Sequence, residues 1–399
     1  MISSNSQRPL KVALVHDYLG EFGGAERVLE ALCEIWPDAP IYTAFYREGS
    51  AYERFKDRKI VTSWAQKVPF FPTKLHSPLR FLAPWIWGSF DFSGYDVVIS
   101  SASWYITKGF KQDKGRSLRG LPQGPTLSGK QIEICYCHTP PRYLYGYPTS
   151  VNWRKYWPVR AYALLVNHFM RVYDYEAAQR VDWFVANSKE VQARIRKFYR
   201  RDSVVIYPPV DLGKVESRKG KGENTAEEYY LVVSRIVGGK GLSMVVDLAN
   251  KLGFKLKIVG APAGYAREFD KLKKSAEGNV EFLGYVPDEE LVGLYSGAKA
   301  FFAMAHDEDF GITPVEAMLC GTPVIAYRGG GYLETVVEGK TGVFFNTYKA
   351  GSLALAFNHF NELFEKGTFK KAAIKRHADK FSKDRFKKEM LEFVQKHAA

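Results

Sequence analysis

The chain has 399 residues, 46% hydrophobic and 25% charged, a composition that suits a globular protein with room for two domains near 200 residues each. A formal net charge of +14 favours phosphorylated, anionic-lipid or nucleic-acid partners without choosing among them. Four cysteines do not make a disulfide framework, no apolar run reaches the ~18 residues of a membrane span, and MISSNSQRPLK lacks the apolar stretch of a signal peptide, so a cytoplasmic protein is expected.

The first predicted element is a strand over Lys11–Val15 (KVALV), followed by a glycine-rich turn and a helix over Ala25–Ile35. Short apolar runs at Ile41–Ala44, Val97–Ile99, Ile132–Cys135, Trp183–Ala186 and Val204–Ile206 read as further strands, with helical segments between several of them. That alternation predicts a parallel sheet covered on both faces. Cys135 and Cys137 share one face of a strand and have no second pair to complete a zinc site, so both read as reduced structural thiols. Leu79–Phe90 (LRFLAPWIWGSF) is strongly aromatic. Lys108–Lys130 carries six basic residues against one acidic residue, with several Gly and Pro, which predicts a mobile surface loop. The two segments read either as a surface facing anionic lipid or as a solvated charge run beside a buried aromatic helix.

Pro208 and Pro209 stiffen the chain after Tyr207, and the polar, Lys- and Gly-rich stretch 213–225 follows, so a domain boundary is expected between 207 and 208. A second strand series then runs through Tyr230–Val233, Lys255–Val259, Val280–Phe282, Ala300–Ala303, Pro323–Ala326 and Gly342–Phe344. Helices are predicted over Ser243–Leu252, Tyr265–Ala276, Asp288–Ser296 and Pro314–Leu319, and Phe381–Val394 has the spacing of an amphipathic helix. The fold class is therefore α/β, two Rossmann-like domains in tandem, with ligands expected beyond the carboxyl ends of the strands in a cleft between them.

Four constellations carry candidate chemistry. In Glu308–Gly321 (EDFGITPVEAMLCG) two glutamates stand eight positions apart around a glycine turn that opens a helix. Thr313 as N-cap, Pro314 as first helical residue and Glu316 at the third would form a capping box, a purely structural reading. The same helix start can instead present amides to a phosphate, with both glutamates free to accept from sugar hydroxyls. Ser234–Gly241 (SRIVGGKG) sets Arg235 and Lys240 around glycines after a strand, which suits either a diphosphate or a solvated basic loop. Gly23 and Gly24 lie in a strand-to-helix turn that is not a dinucleotide fingerprint, and either approach a ligand closely or only make the turn tight. His138 stands at a strand's carboxyl end before Pro140-Pro141, where sites lie in such sheets, although a lone His is more often structural.

The pair Glu308/Glu316, the following GTPVI run, Gly329–Gly331 and Leu333-Glu334 resemble the family 4 retaining glycosyltransferases of GT-B fold. EDFGITPVEA resembles more narrowly the bacterial mannosyltransferases of O-antigen and exopolysaccharide synthesis. The resemblance implies two domains facing across a cleft: residues 1–207 on the acceptor side, 208–380 holding the nucleotide sugar, and 381–399 crossing back to the first. It implies that Glu308 contacts donor-sugar hydroxyls, that Glu316 contacts the ribose, and that Arg235 and Lys240 neutralise the pyrophosphate. Amides of Phe310, Gly311, Ile312 and Thr313 would hold sugar and phosphate, Gly23 or Gly24 would reach the donor phosphate, and His138 would lie near the reacting carbon. Asp309 stands where many members have Gly. Loops at Gly260–Gly264 and Gly284–Pro287 fall where the family reads its nucleobase.

The implied donor is GDP-mannose, with a UDP-sugar as the alternative, and the acceptor is a saccharide or a lipid-linked one. No metal or other cofactor is expected, because no DxD-like pair occurs in a suitable loop. An epimerase or hydrolase of the same fold is a further alternative. Nucleic acid is not an expected partner, since no helix-turn-helix, zinc or RNP-like pattern accompanies the charge.

Overall fold

The computed structural model describes residue 8 and residues 10–111, 131–149, 156–212, 228–236, 240–261 and 266–398. Two compact units emerge: Met1–Tyr145 with Ala161–Tyr207 and Phe386–Ala399, and Gly146–Arg160 with Pro208–Arg385. The chain thus passes between units at Tyr207/Pro208, and also at Tyr145/Gly146, Arg160/Ala161 and Arg385/Phe386, three places that a single linear boundary does not anticipate.

The first unit holds a seven-stranded parallel sheet. Its strands are β1 (Val12–His16), β2 (Ile41–Thr43), β3 (Ile60–Thr62), β4 (Val97–Ala102), β5 (Ile132–Cys137), β6 (Trp183–Ala186) and β7 (Val204–Val205), in the order β3-β2-β1-β4-β5-β6-β7. The helices are α1 (Gly24–Ile35), α2 (Ala83–Trp87), α3 (Trp157–Arg180) and α4 (Lys189–Tyr199). Every β1 residue is buried, because helices or loops cover both faces of the sheet.

Alternation along the strands sorts the core into two layers. Val12, Leu14, Val97, Ile99, Ile134 and Tyr136 pack with α1 and the C-terminal residues Phe386, Met390, Phe393 and Val394. Ala13, Val15 and Val98 pack on the other side with Trp87, Phe90, Tyr105 and Phe110. Ala83, Ile86, Trp87 and Phe90 are therefore core residues, which favours the buried aromatic reading of Leu79–Phe90 over the lipid-facing one. Trp85 alone of its neighbours on α2 is exposed, and its carbonyl accepts from the Trp64 indole at 3.3 Å.

The expected basic loop also needs correction where it is described. Lys108 is buried and ion-paired with Asp174, and Phe110 is buried in the core. The backbone N–H groups of Gly109 and Phe110 donate to the two oxygens of Glu133 at 2.7 Å each. Residues 112–130 lie outside the described residues. All four cysteines are buried and free, and burial pushes the Cys135 thiol up to about 12 despite nearby Lys108.

The second unit holds six parallel strands: β8 (Tyr229–Val233), β9 (Lys255–Val259), β10 (Val280–Gly284), β11 (Ala300–Ala303), β12 (Val324–Tyr327) and β13 (Gly342–Phe345), in the order β10-β9-β8-β11-β12-β13. Its helices are α5 (Leu242–Leu252), α6 (Ala266–Ser275), α7 (Asp288–Gly297), α8 (Ile312–Leu319), α9 (Tyr332–Thr335), α10 (Ala350–Glu365) and α11 (Lys371–Ala378). Both sheets reverse strand order beside their first strand, the arrangement that opens a ligand crevice at the carboxyl edge. Helix α12 (Lys383–Ala398) buries Phe386, Met390, Phe393 and Val394, a helical stripe whose side chains contribute roughly 1.5–3 kcal/mol each. Among the described residues no helix is long and apolar enough to cross a membrane.

Candidate functional site

In the second unit, the carboxyl ends of β8 and β11 bring together two of the predicted residues. Lys240 Nζ lies 2.8 Å from Glu308 Oε2, with both side chains partly exposed. The close approach depends on Gly241, which has φ +68 and caps α5. A Cβ there would stand 2.3 Å from the Tyr348 hydroxyl and 2.7 Å from the Met304 carbonyl. The Tyr348 hydroxyl donates to that carbonyl at 2.9 Å, so the loop, β11 and Tyr348 form one packed corner. His306, two residues before Glu308, stacks on Tyr327 with ring centroids 4.9 Å apart.

The glycine run has an equally local cause. Gly330, at φ +55, leaves no room for a side chain, since a Cβ would stand 2.2 Å from the Glu308 carbonyl. Gly331 donates to that carbonyl at 2.9 Å, and its own Cβ would meet the Phe310 backbone at 2.3 Å. Glu308, Asp309 and Phe310 are thus held by backbone contact with Gly330 and Gly331. Phe310 is buried, its ring centroid 5.4 Å from that of Phe381.

Helix α8 corrects the predicted cap. It starts at Ile312 with Gly311 as N-cap at φ +88, so Thr313 is the second helical residue and not the cap. Only glycine takes that left-handed conformation cheaply, which moves the start two residues upstream. Glu316 accordingly lies in the second turn, too far along to close a capping box. It is buried, and its Oε2 accepts from the Tyr295 hydroxyl at 2.8 Å. Arg235 is exposed just past β8, and the adjoining Ser234 carbonyl packs where a Cβ of Gly260 would stand, at 1.9 Å. Val237–Gly239 and 262–265, including most of the expected nucleobase loop at Gly260–Gly264, lie outside the described residues.

In the first unit, His138 is part of a chain of polar contacts at the carboxyl ends of β1, β4 and β5. Its Nε2 lies 2.8 Å from Ser101 Oγ, Ser101 Oγ lies 3.0 Å from His16 Nδ1, and His16 Nε2 lies 3.4 Å from Glu26 Oε1. Sheet register causes this: His16 pairs with Ser101 and Ser101 with Tyr136, two residues before His138, so all three side chains face α1. Glu26 Oε2 also accepts from the Gly23 N–H at 2.9 Å, which ties the turn at Gly23 and Gly24 to the same network.

The carboxylate at one end sets the direction of the chain. For a neutral His16, donation from Nε2 to Glu26 leaves Nδ1 to accept from the Ser101 hydroxyl, and Ser101 then accepts from His138 Nε2–H. That leaves Nδ1 of His138 as the acceptor. Burial, helped by His16, lowers the His138 pKa to about 3, so the imidazole is neutral near pH 7. Sequence reasoning missed Ser101 and the Tyr348 corner, for neither has a local motif.

Residues 214–377 match the family model described as glycosyl transferases group 1. Over 186 residues the chain is 28% identical to the D-inositol 3-phosphate glycosyltransferase of Segniliparus rotundus, covering 42% of this chain and 41% of that protein. It is 30% identical over 190 residues to the enzyme of the same name from an Arthrobacter species, covering 43% and 45%. The chain therefore spans less than half the length of these relatives. Among solved structures, Anabaena HepE in complex with UDP and glucose has a TM-score of 0.68 at 19% identity, covering 97% of this chain and all of that one. Sucrose-phosphate synthase from Thermosynechococcus elongatus has a TM-score of 0.73 at 18% identity, covering 97% and 99%. These structures share the fold, two Rossmann-like parallel-sheet domains of GT-B type.

Proposed function

We propose that the chain is a retaining glycosyltransferase that moves a sugar from a nucleoside diphosphate to an acceptor hydroxyl. The observation that carries this reading is the Lys240–Glu308 pair at the mouth of α8, inside the segment that matches the glycosyl transferases group 1 model. An incoming diphosphate draws the Lys240 ammonium away from Glu308, which frees the carboxylate to accept from sugar hydroxyls. Arg235 and the amides of Phe310 to Thr313 meet the remaining phosphate charge, so the reading needs no metal ion. Asp309 sits beside the sugar, Glu316 accepts from the ribose while Tyr295 orients it, and His138, with Gly23 and Gly24, serves the reacting end of the donor.

In the transfer step the bond from the anomeric carbon to the diphosphate oxygen breaks and a bond to the acceptor oxygen forms on the same face. The acceptor proton passes to the departing phosphate oxygen. Preorganised cations serve this step best, because negative charge grows on the leaving group.

The donor is GDP-mannose in the reading that EDFGITPVEA supports. A UDP-sugar is the second reading, favoured by the solved complexes of HepE with UDP, with UDP and glucose, and with UDP-glucose. The acceptor is a saccharide, free or lipid-linked, and the name of the curated relatives adds a phosphorylated cyclitol to that class. Contact with an anionic membrane runs through α3, where Leu164, Leu165 and Phe169 are 73%, 64% and 62% exposed beside Arg171.

Radiolabelled GDP-mannose and UDP-glucose, each with and without a saccharide acceptor, test the assignment. Label moving to the acceptor supports it. Release of free or epimerised sugar with no acceptor dependence replaces it by a hydrolase or epimerase.

A further inference from the structure

At the carboxyl edge of the first sheet, beyond β1, β2 and β4, lies a cation that nothing among the described residues satisfies. Arg47 makes no ion pair and no side-chain hydrogen bond among the described residues, and its Nε is buried without a partner. The guanidinium rests on the backbone of Gly20: a Cβ there would stand 2.8 Å from Arg47 Nη2 and 2.9 Å from the Tyr18 ring. Beside it, His76 keeps Nδ1 buried and unpartnered as well. A half-buried guanidinium with no carboxylate is costly, because desolvation is uncompensated. Such a group persists where a ligand completes it.

Tyr18, whose ring shares the space over Gly20 with the guanidinium, belongs to a cluster of three rings. The Tyr18 ring centroid lies 5.7 Å from that of His76 and 6.3 Å from that of Trp104, and Trp104 lies 6.1 Å from His76. Glu48, next to Arg47 in sequence, forms no ion pair with it among the described residues, and Asp17, next to Tyr18, is already spent. Its carboxylate accepts from the Trp104 N–H at 2.6 Å, the Tyr105 N–H at 3.1 Å and the Thr107 hydroxyl, fixing the loop that presents Trp104. Tyr18, Trp104 and Arg47 each remain partly exposed. Aromatic faces beside a forked cation suit a sugar or cyclitol ring that carries an anion. The forked Arg47 guanidinium can meet two oxygens of one anion at once, as a phosphate offers.

We propose that Tyr18, Arg47, His76 and Trp104 bind the phosphate-bearing end of the acceptor. The inference rests on the glycosyltransferase reading and assigns residues to one acceptor class within it, the phosphate-bearing one. The shared chemistry is a phosphate ester on or next to a sugar ring, whether free in solution or at the head of a lipid.

The test is calorimetric titration of the full chain with glucose 6-phosphate, glucose and inorganic phosphate. Cosedimentation with phosphatidylcholine vesicles, with and without a polyprenyl phosphate, forms the second arm. Both are run with saturating UDP or GDP so that the donor diphosphate site is filled. Binding of a phosphate-bearing probe, at least about tenfold weaker in Arg47→Gln and partly restored in Arg47→Lys, is the expected result. Binding of soluble probes identifies a free sugar phosphate, and binding only of polyprenyl phosphate vesicles identifies a lipid-borne one. Equal binding by wild type and Arg47→Gln, or no phosphate-dependent binding in either arm, overturns the proposal. Failure of UDP and GDP to bind is read separately, as failure of the glycosyltransferase assignment.

Discussion

Lys240 Nζ sits 2.8 Å from Glu308 Oε2, at a corner where neither residue is buried deeply enough for the pair to hold the fold. An exposed pair of this kind contributes about 0–1 kcal/mol, since solvent screens it. Two glycines with left-handed backbone, Gly241 and Gly330, nonetheless bring the two together. Glu308→Gln and Lys240→Gln should each leave the melting temperature within a few degrees of wild type. Transfer of labelled sugar should fall by about a hundredfold or more, the scale of losing one preorganised charge partner of the leaving group. A normal rate in either variant removes that residue from the chemistry.

The chain of contacts from Glu26 through His16 and Ser101 to His138 sets a pH dependence with a definite sign. The His138 pKa, about 3 in the folded protein, is depressed below the ordinary 6.5 by burial and then by His16. The unfolded chain takes up a proton as pH falls through 6.5 while the folded protein does not. This contribution to stability is therefore full above 6.5 and is lost progressively as pH falls toward 3. In urea unfolding, the midpoint of wild type should fall more between about pH 7 and pH 5 than that of His138→Gln. His76 and His377 are lowered in the same direction, so the variant flattens the profile without abolishing it. Identical profiles would show that His138 is not held neutral.

The two sheets were legible in the sequence because parallel strands buried on both faces read as unbroken apolar runs. β3 escaped notice because it is a three-residue edge strand, Ile60–Thr62, with every position half-buried. Ser101 escaped because its meaning comes from register with His16, 85 residues away, and nothing around it marks it. The Thr313–Glu316 capping box was a local pattern overridden by a local conformation: Gly311 at φ +88 opens α8 earlier. Lys108 looked solvated in a basic run because its partner, Asp174, is 66 residues distant. Composition reports charge but not where a counter-charge lies.

Gly330 provides a test of how the donor corner is held. Gly330→Ala combines a left-handed backbone with a Cβ 2.2 Å from the Glu308 carbonyl, whereas Gly339→Ala places a Cβ at φ +68 in open space. Both pay the left-handed penalty of ~1–2 kcal/mol. Only the first must also move the backbone of Glu308. Gly330→Ala should therefore lose most transfer activity and unfold at lower temperature than Gly339→Ala, which should keep near-normal activity. Equal activity in the two would mean that Glu308 is not positioned by the glycine run.

Lys108 and Asp174 form the most deeply buried ion pair in the first unit's described residues, with side-chain exposures of 2% and 0%. Burial by itself lowers the Lys108 pKa, and the Asp174 carboxylate more than reverses this, so the lysine stays charged. Asp174 also accepts from the Tyr145 hydroxyl at 2.6 Å and the Tyr199 hydroxyl at 3.3 Å, and so ties α3 to α4 and to the segment after β5. Lys108→Met leaves a buried carboxylate with hydroxyl donors but no counter-charge, and should cost about 3–5 kcal/mol in urea unfolding. Lys108→Met combined with Asp174→Leu should recover part of that loss, because the orphaned charge is gone. Recovery should stay incomplete, since the Tyr145 and Tyr199 hydroxyls then lose their acceptor. A double variant no better than the single one would place the stabilisation in the tyrosine bonds and not in the ion pair.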